Sequence, residues 1–307
     1  MRLDNFDIRL LRVFMTIADC GGFSAAQAHL GLSQSAISNK MHDLETRMGL
    51  RLCERGRSGF RLTAEGERIY EETRILLGLI DQYEDRVGQI RHVLFGHVRI
   101  GIIDTLATNP ECRLAESLRQ FCHDFPQVNV SVTVIDSMDI ESLLLQGRLD
   151  LGITSSEKDM PGLSYDRLFV ERQCLYASPE HPVFALGKEV LDKGDVQAFA
   201  VAGRGQSHFI TPLEAGFNTR AVSAHMEGTV FLLLSGEFIG YLPNHCAKVW
   251  VDQGRLRQLP APALEYSPAF ALTRPRYGIR SQAADRLSEA ILASHFSHPQ
   301  AADDAAN

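Results

Sequence analysis

From Ile69 to Leu94 the chain places Ile69, Thr73, Leu76, Ile80, Tyr83, Val87, Ile90 and Leu94 at alternating steps of four and three residues without a break. That spacing winds onto one side of an α-helix and stays there, so this stretch predicts a single long helix with an apolar seam. Thr63 is its predicted N-cap. Its flanks carry Glu71, Glu72, Arg74, Asp81, Glu84, Asp85, Arg86 and Arg91. Two arrangements satisfy the pattern: a helix packed on its own domain, or a coiled-coil seam against a second copy. The length favours the second, because a lone helix would leave its stripe in water. Ile69, Leu76, Ile80, Tyr83, Val87 and Ile90 are therefore the dimerisation candidates. The helix also divides the chain into a short segment before it and a long one after it.

The short segment reads as three helices and a hairpin. Asp7 is placed to cap a helix over 7–20, with Leu10, Leu11, Phe14, Ile17 and Ala18 on one face and Gly21-Gly22 as its stop. Ser24 is placed to cap a second, from Ala25 to Leu30, which ends at Gly31. Ser33 is placed to cap a third, from Gln34 to about Met48. On that third helix Ile37, Met41, Leu44 and Met48 form an apolar stripe, and Gln34, Ser35, Ser38, Asn39 and His42 occupy the opposite face. Two helices joined by a glycine-containing turn make a helix-turn-helix. Exposed amides and hydroxyls on the second of them can read base edges in a major groove. An ordinary helical hairpin with a solvated face fits the same pattern. The next residues favour DNA: Gly49 to Leu62 reads as two short strands around Gly56-Arg57-Ser58-Gly59, a wing whose arginines suit phosphates or a minor groove.

The run Gly22-Phe23-Ser24-Ala25-Ala26, then Leu32-Ser33-Gln34-Ser35-Ala36-Ile37-Ser38, Leu44-Glu45, Gly49, Leu52, Arg55 and Leu62-Thr63-Ala64-Glu65-Gly66, resembles the winged helix-turn-helix of LysR-type transcription regulators. Asn39-Lys40 departs from that pattern, since members often carry arginine at the first of these positions. The DNA-contact candidates are Ser24, Ser33, Gln34, Ser35, Ser38, Asn39 and His42 in the helices, with Arg55 and Arg57 in the wing. The resemblance implies that the long helix builds a homodimer, which can pair further into a homotetramer. It also implies double-stranded DNA and RNA polymerase as partners.

After the long helix the chain alternates strand and helix patterns. Val98 to Ile103, Val128 to Ile135 and Leu149 to Thr154 read as strands, with helices over Pro110 to Phe125 and Asp139 to Gln146 between them. A βαβαβ order implies a parallel sheet. A second set follows: strands at Phe199 to Ala202, Phe238 to Leu242 and Leu256 to Leu259, helices at Thr229 to Ser235 and Asn244 to Gln253, and a last helix from Gln282 to Phe296. Two such lobes, joined by crossings near Ser155–Pro161 and Leu264–Pro268, resemble a periplasmic-binding-protein fold. The LysR resemblance continues through Gly147-Arg148-Leu149-Asp150-Leu151-Gly152-Ile153, His181-Pro182 and Gly236 to Pro243. The expected fold is thus α/β. A winged helix-turn-helix over 1–62 and a linker helix over 63–94 lead to an effector-binding domain over 95–298. Its first lobe holds 95–158 and 268–298, its second 159–267, and 299–307 form a tail.

Open α/β sheets bind ligands beyond the carboxyl ends of their strands. That edge holds Asp104, Thr105, Asp136, Ser137, Thr154 and Ser155, and across the cleft Gln206, Ser207, His208, Gly228 and Thr229. In relatives, positions matching Thr105 and Ser137 touch effectors. The effector-site candidates are Asp104, Thr105, Ser137, Thr154, Ser155, Gln206, Ser207, His208 and Thr229. A small organic acid held by hydroxyls and N–H groups is the expected ligand, and Asp104 adds an acceptor for a hydroxyl or an amine. No cofactor and no metal are expected.

Charge is distributed to match. The chain carries −7 overall, but residues 1–66 hold nine Lys/Arg against seven Asp/Glu, and 47–61 hold five arginines against Glu54 alone. The six cysteines form no C-x-x-C pair, which argues against a disulfide framework or a thiolate zinc site and fits single buried thiols. There is no G-x-S-x-G, P-loop or H-E-x-x-H, so no enzyme signature stands out. With no signal peptide and no apolar run of spanning length, a cytoplasmic protein without a membrane partner is expected. A ligand-independent architectural DNA binder is the alternative.

Overall fold

The computed structural model of the chain describes residues 4–56, 59–91, 94–155, 159–204, 216–277 and 281–296. These form two compact units, Met1–Arg86 and Val87–Asn307.

The first unit contains α1 (Asn5–Asp19), α2 (Phe23–Leu30), α3 (Gln34–Met48), the antiparallel strands β1 (Cys53–Gly56) and β2 (Gly59–Leu62), and most of α4 (Ala64–Arg91). Leu10, Phe14 and Ile17 of α1 meet Ile37 and Leu44 of α3 and Leu52 in a fully buried core. Asp4, not Asp7, caps α1: its carboxylate accepts the N–H groups of Phe6 and Asp7 at 2.8 and 2.9 Å. Asp7 answers as the third helical residue, accepting from the Asp4 N–H at 2.9 Å. Its side chain is buried, and the Arg47 guanidinium donates to both of its oxygens, holding the carboxyl below the usual carboxylate range. Arg47 also reaches Asp4 at 3.0 Å. One of the five arginines counted toward a basic surface is therefore an internal clasp between α1 and α3. Arg61 is similarly held, by Glu54 at 2.7 Å across the wing. Gly22, at φ 151°, precedes α2 without any side-chain cap, so Ser24 is an exposed first-turn residue and not the predicted cap. Glu45 accepts the N–H groups of Leu52 and Cys53 at 2.7 and 3.3 Å and so ties α3 to the wing.

The predicted seam of α4 is partly spent inside the subunit. Thr73 is buried, and Ile69, Tyr70 and Leu76 pack against the three-helix core. The Tyr70 hydroxyl donates to Asp19 at 2.6 Å. Ile80 and Val87 are half-buried, and the side chain of Ile90 lies outside the described residues. Among the described residues of α4, the large apolar side chains left in water are Ile75, Leu79 and Tyr83, at 47, 49 and 69% exposure. These stand four residues apart on one face. Ile75 and Leu79 each precede a seam residue by one position, about 100° round the helix, so the stripe that faces the core at the start of α4 leaves a second apolar face free.

The second unit holds two five-stranded sheets. The first has the order β4-β3-β5-β12-β6, built from β3 (Gly96–Ile102), β4 (Val128–Val134), β5 (Leu151–Ser155), β6 (Leu163–Val170) and β12 (Ala269–Pro275). Helices α5 (Leu114–Asp124), α6 (Ser137–Leu145) and α10 (Gln282–Phe296) accompany it. The second sheet has the order β11-β7-β10-β8-β9, built from β7 (Gln173–Ala177), β8 (Ala200–Arg204), β9 (Asn218–Ser223), β10 (Ile239–Pro243) and β11 (Arg257–Gln258). With it go α7 (Lys193–Gln197), α8 (Met226–Leu234) and α9 (Asn244–Asp252). Neither sheet is purely parallel: β12 runs antiparallel to β5 and β6, and β7 antiparallel to β10. β6 belongs to the first sheet, so the chain first crosses between lobes at Glu171–Arg172 and not near Ser155–Pro161. Residues 159–170 thus move from the second lobe to the first. The return falls just before β12, where Pro268 was expected to end it. Cys122 is exposed, unlike the buried Cys53 and Cys174. Among the described residues no helix is long and apolar enough to cross a membrane.

In the first lobe Phe169 and Phe270 stack at 5.0 Å, and His295 stacks on Phe169 at 5.9 Å. His295 Nδ1 donates to the Ile291 carbonyl at 2.7 Å, and Nε2 accepts the Arg113 N–H at 3.0 Å, the pattern of a neutral ring. Burial pushes the pKa values of His295 and His181 below the ordinary 6.5. Below pH 6.5 the unfolded chain therefore binds more protons than the folded one, and stability present above that value is lost as pH falls toward the folded values. Urea unfolding between pH 7.5 and 5.5 should show this loss, and His295→Gln should show less of it. An acid loss of equal size in that variant would clear His295 of the role.

Candidate functional site

On α3 the buried face is Ile37, Met41 and Leu44; Ser35, Asn39 and His42 are exposed opposite it, and Gln34 is exposed at the helix start, three residues before Ile37 and so not on the opposite face predicted for it. Ser33 caps the helix as predicted, accepting the Ala36 N–H at 3.3 Å, and its Oγ lies 3.0 Å from that of Ser35. Ser38 is half-buried and its hydroxyl donates to the Gln34 carbonyl at 2.8 Å. Arg55 lies in β1 opposite Phe60, with its side chain outside the described residues, and Arg57 lies wholly outside them.

In the second unit a cleft opens between the sheets where strand ends converge. Asp104 and Thr105 follow β3, Asp136 and Ser137 follow β4, and Ser155 ends β5. From the other lobe come Arg204 at the end of β8, and His225, Met226 and Thr229 at the start of α8. Ile103, Ile135, Met138, Tyr266, Pro268 and Phe270 supply apolar walls. The interior space is about 100 Å³, enough for a small molecule only.

Five predicted effector residues thus line the cleft: Asp104, Thr105, Ser137, Ser155 and Thr229. Thr154 does not. It is fully buried on the opposite face of β5, with its hydroxyl 2.6 Å from that of Thr273, because successive strand residues point to opposite faces. Gln206, Ser207 and His208 lie outside the described residues. Gly228 and Thr229 sit inside the first turn of α8, which begins at Met226. Thr105 is the one non-glycine residue with positive φ, 66°, among the described residues. A β-branched side chain rarely adopts that conformation, and such strain gathers at binding sites. The Thr105 hydroxyl caps nothing, while Ser137 Oγ already accepts the Ser155 N–H at 3.1 Å.

The polar groups that the sequence did not reveal come from the hinge and from the second lobe. Glu171 is buried, and its oxygens accept from Gln173 at 2.6 Å, His245 at 2.7 Å and Asn109 at 3.3 Å. Gln173 in turn accepts from Arg204 Nη2 at 2.9 Å. Arg204 has no carboxylate partner among the described residues, and its buried Nε has no acceptor. Asp104 bridges the lobes: its carboxylate accepts the Met226 N–H at 2.6 Å at the start of α8, and His225 Nδ1 lies 3.9 Å away. Asp136 caps α6, accepting the Asp139 N–H at 2.9 Å.

A helix-turn-helix with a wing, followed by a long helix and a two-lobed unit with a polar cleft, defines a DNA-binding transcription regulator that responds to a ligand. The chain belongs to the LysR family. Residues 8–67 match the bacterial regulatory helix-turn-helix of that family, and residues 91–295 match the LysR substrate binding domain. The chain is 38% identical over 300 residues to the HTH-type transcriptional activator BauR of Pseudomonas aeruginosa, covering 95% of this chain and 97% of that one. It is 26% identical to the SDS degradation transcriptional activation protein of a Pseudomonas species, covering 94% of each. In fold it is similar to full-length CbnR in complex with target DNA, with a TM-score of 0.58 at 22% identity over 94% of this chain and 99% of that one. These relatives are transcription regulators, not enzymes.

Proposed function

We propose that this regulator binds inverted-repeat promoter sites as a dimer or a dimer of dimers, and that a small carboxylate in the cleft changes how it sits on DNA. The observation that carries the DNA half is the exposed row Ser35, Asn39 and His42 opposite the buried Ile37, Met41 and Leu44, with Gln34 exposed in the first turn. A helix anchored by one face can present the other to a major groove. Ser24 and Ser33 stand at the starts of α2 and α3, where they suit phosphates, and Arg55 and Arg57 serve the backbone from the wing. The homodimer forms through α4, and bound dimers contact RNA polymerase in the cytoplasm. The activator names of the relatives support that output.

The test separates reading from gripping. Gln34→Ala is expected to weaken specific binding by about 1–3 kcal/mol and to relax sequence preference. Arg55→Ala should weaken binding to all sequences and lower the salt slope by about one unit. Both are measured by fluorescence anisotropy on specific and scrambled duplexes across salt concentrations. A Gln34→Ala protein with unchanged preference would remove α3 as the reading helix.

A further inference from the structure

The cleft is the wrong charge for a simple anion. Asp104 and Asp136 stand on the first-lobe side, and neither has a lysine or arginine partner among the described residues. Glu171 at the hinge adds a third carboxylate, already saturated by Gln173, His245 and Asn109. Arg204 on the second-lobe side is the one arginine or lysine lining the cleft among the described residues. The usual remedy for an anion, a helix N-terminus, is also taken. The start of α8 holds the Asp104 carboxylate, and the start of α6 holds that of Asp136. An anionic ligand would find one guanidinium and face two free carboxylate oxygens across a narrow space. Within a space of about 100 Å³ like charges stand close enough to repel strongly.

We infer that the effector is a small zwitterion, an amino-carboxylate whose acid end pairs with Arg204 and whose ammonium sits between Asp104 and Asp136. This rests on the reading of the cleft as the effector site. The arrangement answers three observations together. A carboxylate supplies the charged partner that Arg204 lacks among the described residues, where only Gln173 accepts from it, and arginine suits a carboxylate through paired N–H donors. An ammonium has three donors and no acceptor, which fits one free oxygen on each of two aspartates plus a hydroxyl such as Thr105 Oγ1. The charges lie on opposite lobes, so a ligand carrying both signs bridges them, whereas one carrying a single sign is repelled by one wall. Apolar walls from Ile103, Ile135 and Tyr266 leave room for a few methylenes between the two ends.

The experiment uses the full chain in thermal-shift and calorimetric titrations. The probes are unbranched amino-carboxylates with one to five carbons between the two groups, the same acids without the amine, and the same amines without the acid. At least one amino-carboxylate should raise the melting temperature and bind at least tenfold more tightly than both of its matched single-ended analogues. Asp104→Asn and Asp136→Asn keep the acceptors that cap α8 and α6 but remove the charge. Each should weaken the amino-carboxylate at least tenfold and leave the matched plain acid bound as well or better. Arg204→Gln should weaken both acids. Plain acids binding as tightly as amino acids, or no amino-carboxylate binding at millimolar concentration, would overturn the zwitterion. Thr105→Val keeps shape and removes one donor, and it distinguishes the two failures. If Thr105→Val weakens a plain acid by ten- to hundredfold, the cleft stands and only the ligand class is wrong. If it and Arg204→Gln leave every bound probe unaffected, the ligand site lies elsewhere and the cleft reading itself fails.

Discussion

Replacing Leu79 with aspartate is expected to turn dimers into monomers and to lower affinity for an inverted repeat by about 10²–10⁴-fold, the gain that linking two modules provides. Leu79 is 49% exposed in the isolated chain, flanked on the same face by Ile75 and Tyr83. A carboxylate there costs the subunit fold little, because it remains in water. Against a second α4 it would have to be desolvated in an apolar seam, which is strongly unfavourable. Leu76→Asp discriminates less well, since Leu76 also packs against the core of the DNA-binding unit and its loss would unfold that unit. Sedimentation velocity gives the oligomeric state, and titration of half-site and full-site duplexes gives the coupling. A Leu79→Asp protein that sediments as the wild type and keeps full-site affinity would rule out this face of α4 as the seam.

Gly66→Ala is expected to destabilise the first unit by about 3 kcal/mol, at the upper end of what overpacking costs. A Cβ at Gly66 would lie 1.9 Å from the Leu52 carbonyl oxygen and 2.9 Å from its carbon. These are backbone atoms, and Leu52 is fixed both by its own burial and by the bond from its N–H to Glu45. Neither side can yield without separating α4 from the strand that leads into the wing. Thr63 holds the same junction, accepting the Gly66 N–H at 2.9 Å and donating to the Arg51 carbonyl at 2.6 Å. Gly78, farther along α4, has nothing within 4 Å of its Cβ position, so Gly78→Ala should stabilise by about 0.5–1 kcal/mol. Urea denaturation of the two variants compares them in one helix. A Gly66→Ala change within about 0.5 kcal/mol of wild type would show that the junction is looser than described.

What could be read from the sequence followed from local periodicity. The stripe Ile37, Met41, Leu44 announced α3 and its exposed face, and capping chemistry located the start of α10 at Gln282. Where two rules competed, the reading failed. Asp7 looked like a cap, yet its partner Arg47 lies forty residues away, and only tertiary contact makes it a buried clasp. The α4 seam followed a seven-residue count, whereas the folded helix spends Thr73 on its own core. Strand β6 mixes Ser164, Asp166 and Arg167 with Leu168 and Phe169, a pattern that did not announce a strand. Missing it also moved the lobe crossing. In the cleft the strand-end residues Asp104, Thr105, Ser137 and Ser155 were legible, because strand ends are local features. Thr154 was misplaced by a single residue, which in a strand reverses the face. Glu171, Gln173, Arg204 and His225 were not legible, since a hinge and a facing lobe bring them together.

The clasp of Asp7 and Arg47, with Glu45 bonded to Leu52 and Cys53, ties two helices and a wing into one solid head. A head of this kind has little shape left to alter. On the proposed reading, its grip on a half-site would be set before DNA arrives, and so would the order of bases it prefers. What would remain adjustable is the number of base pairs between two such heads. A regulator built this way would answer its effector by changing its stride along the duplex, with the same footprint at each step.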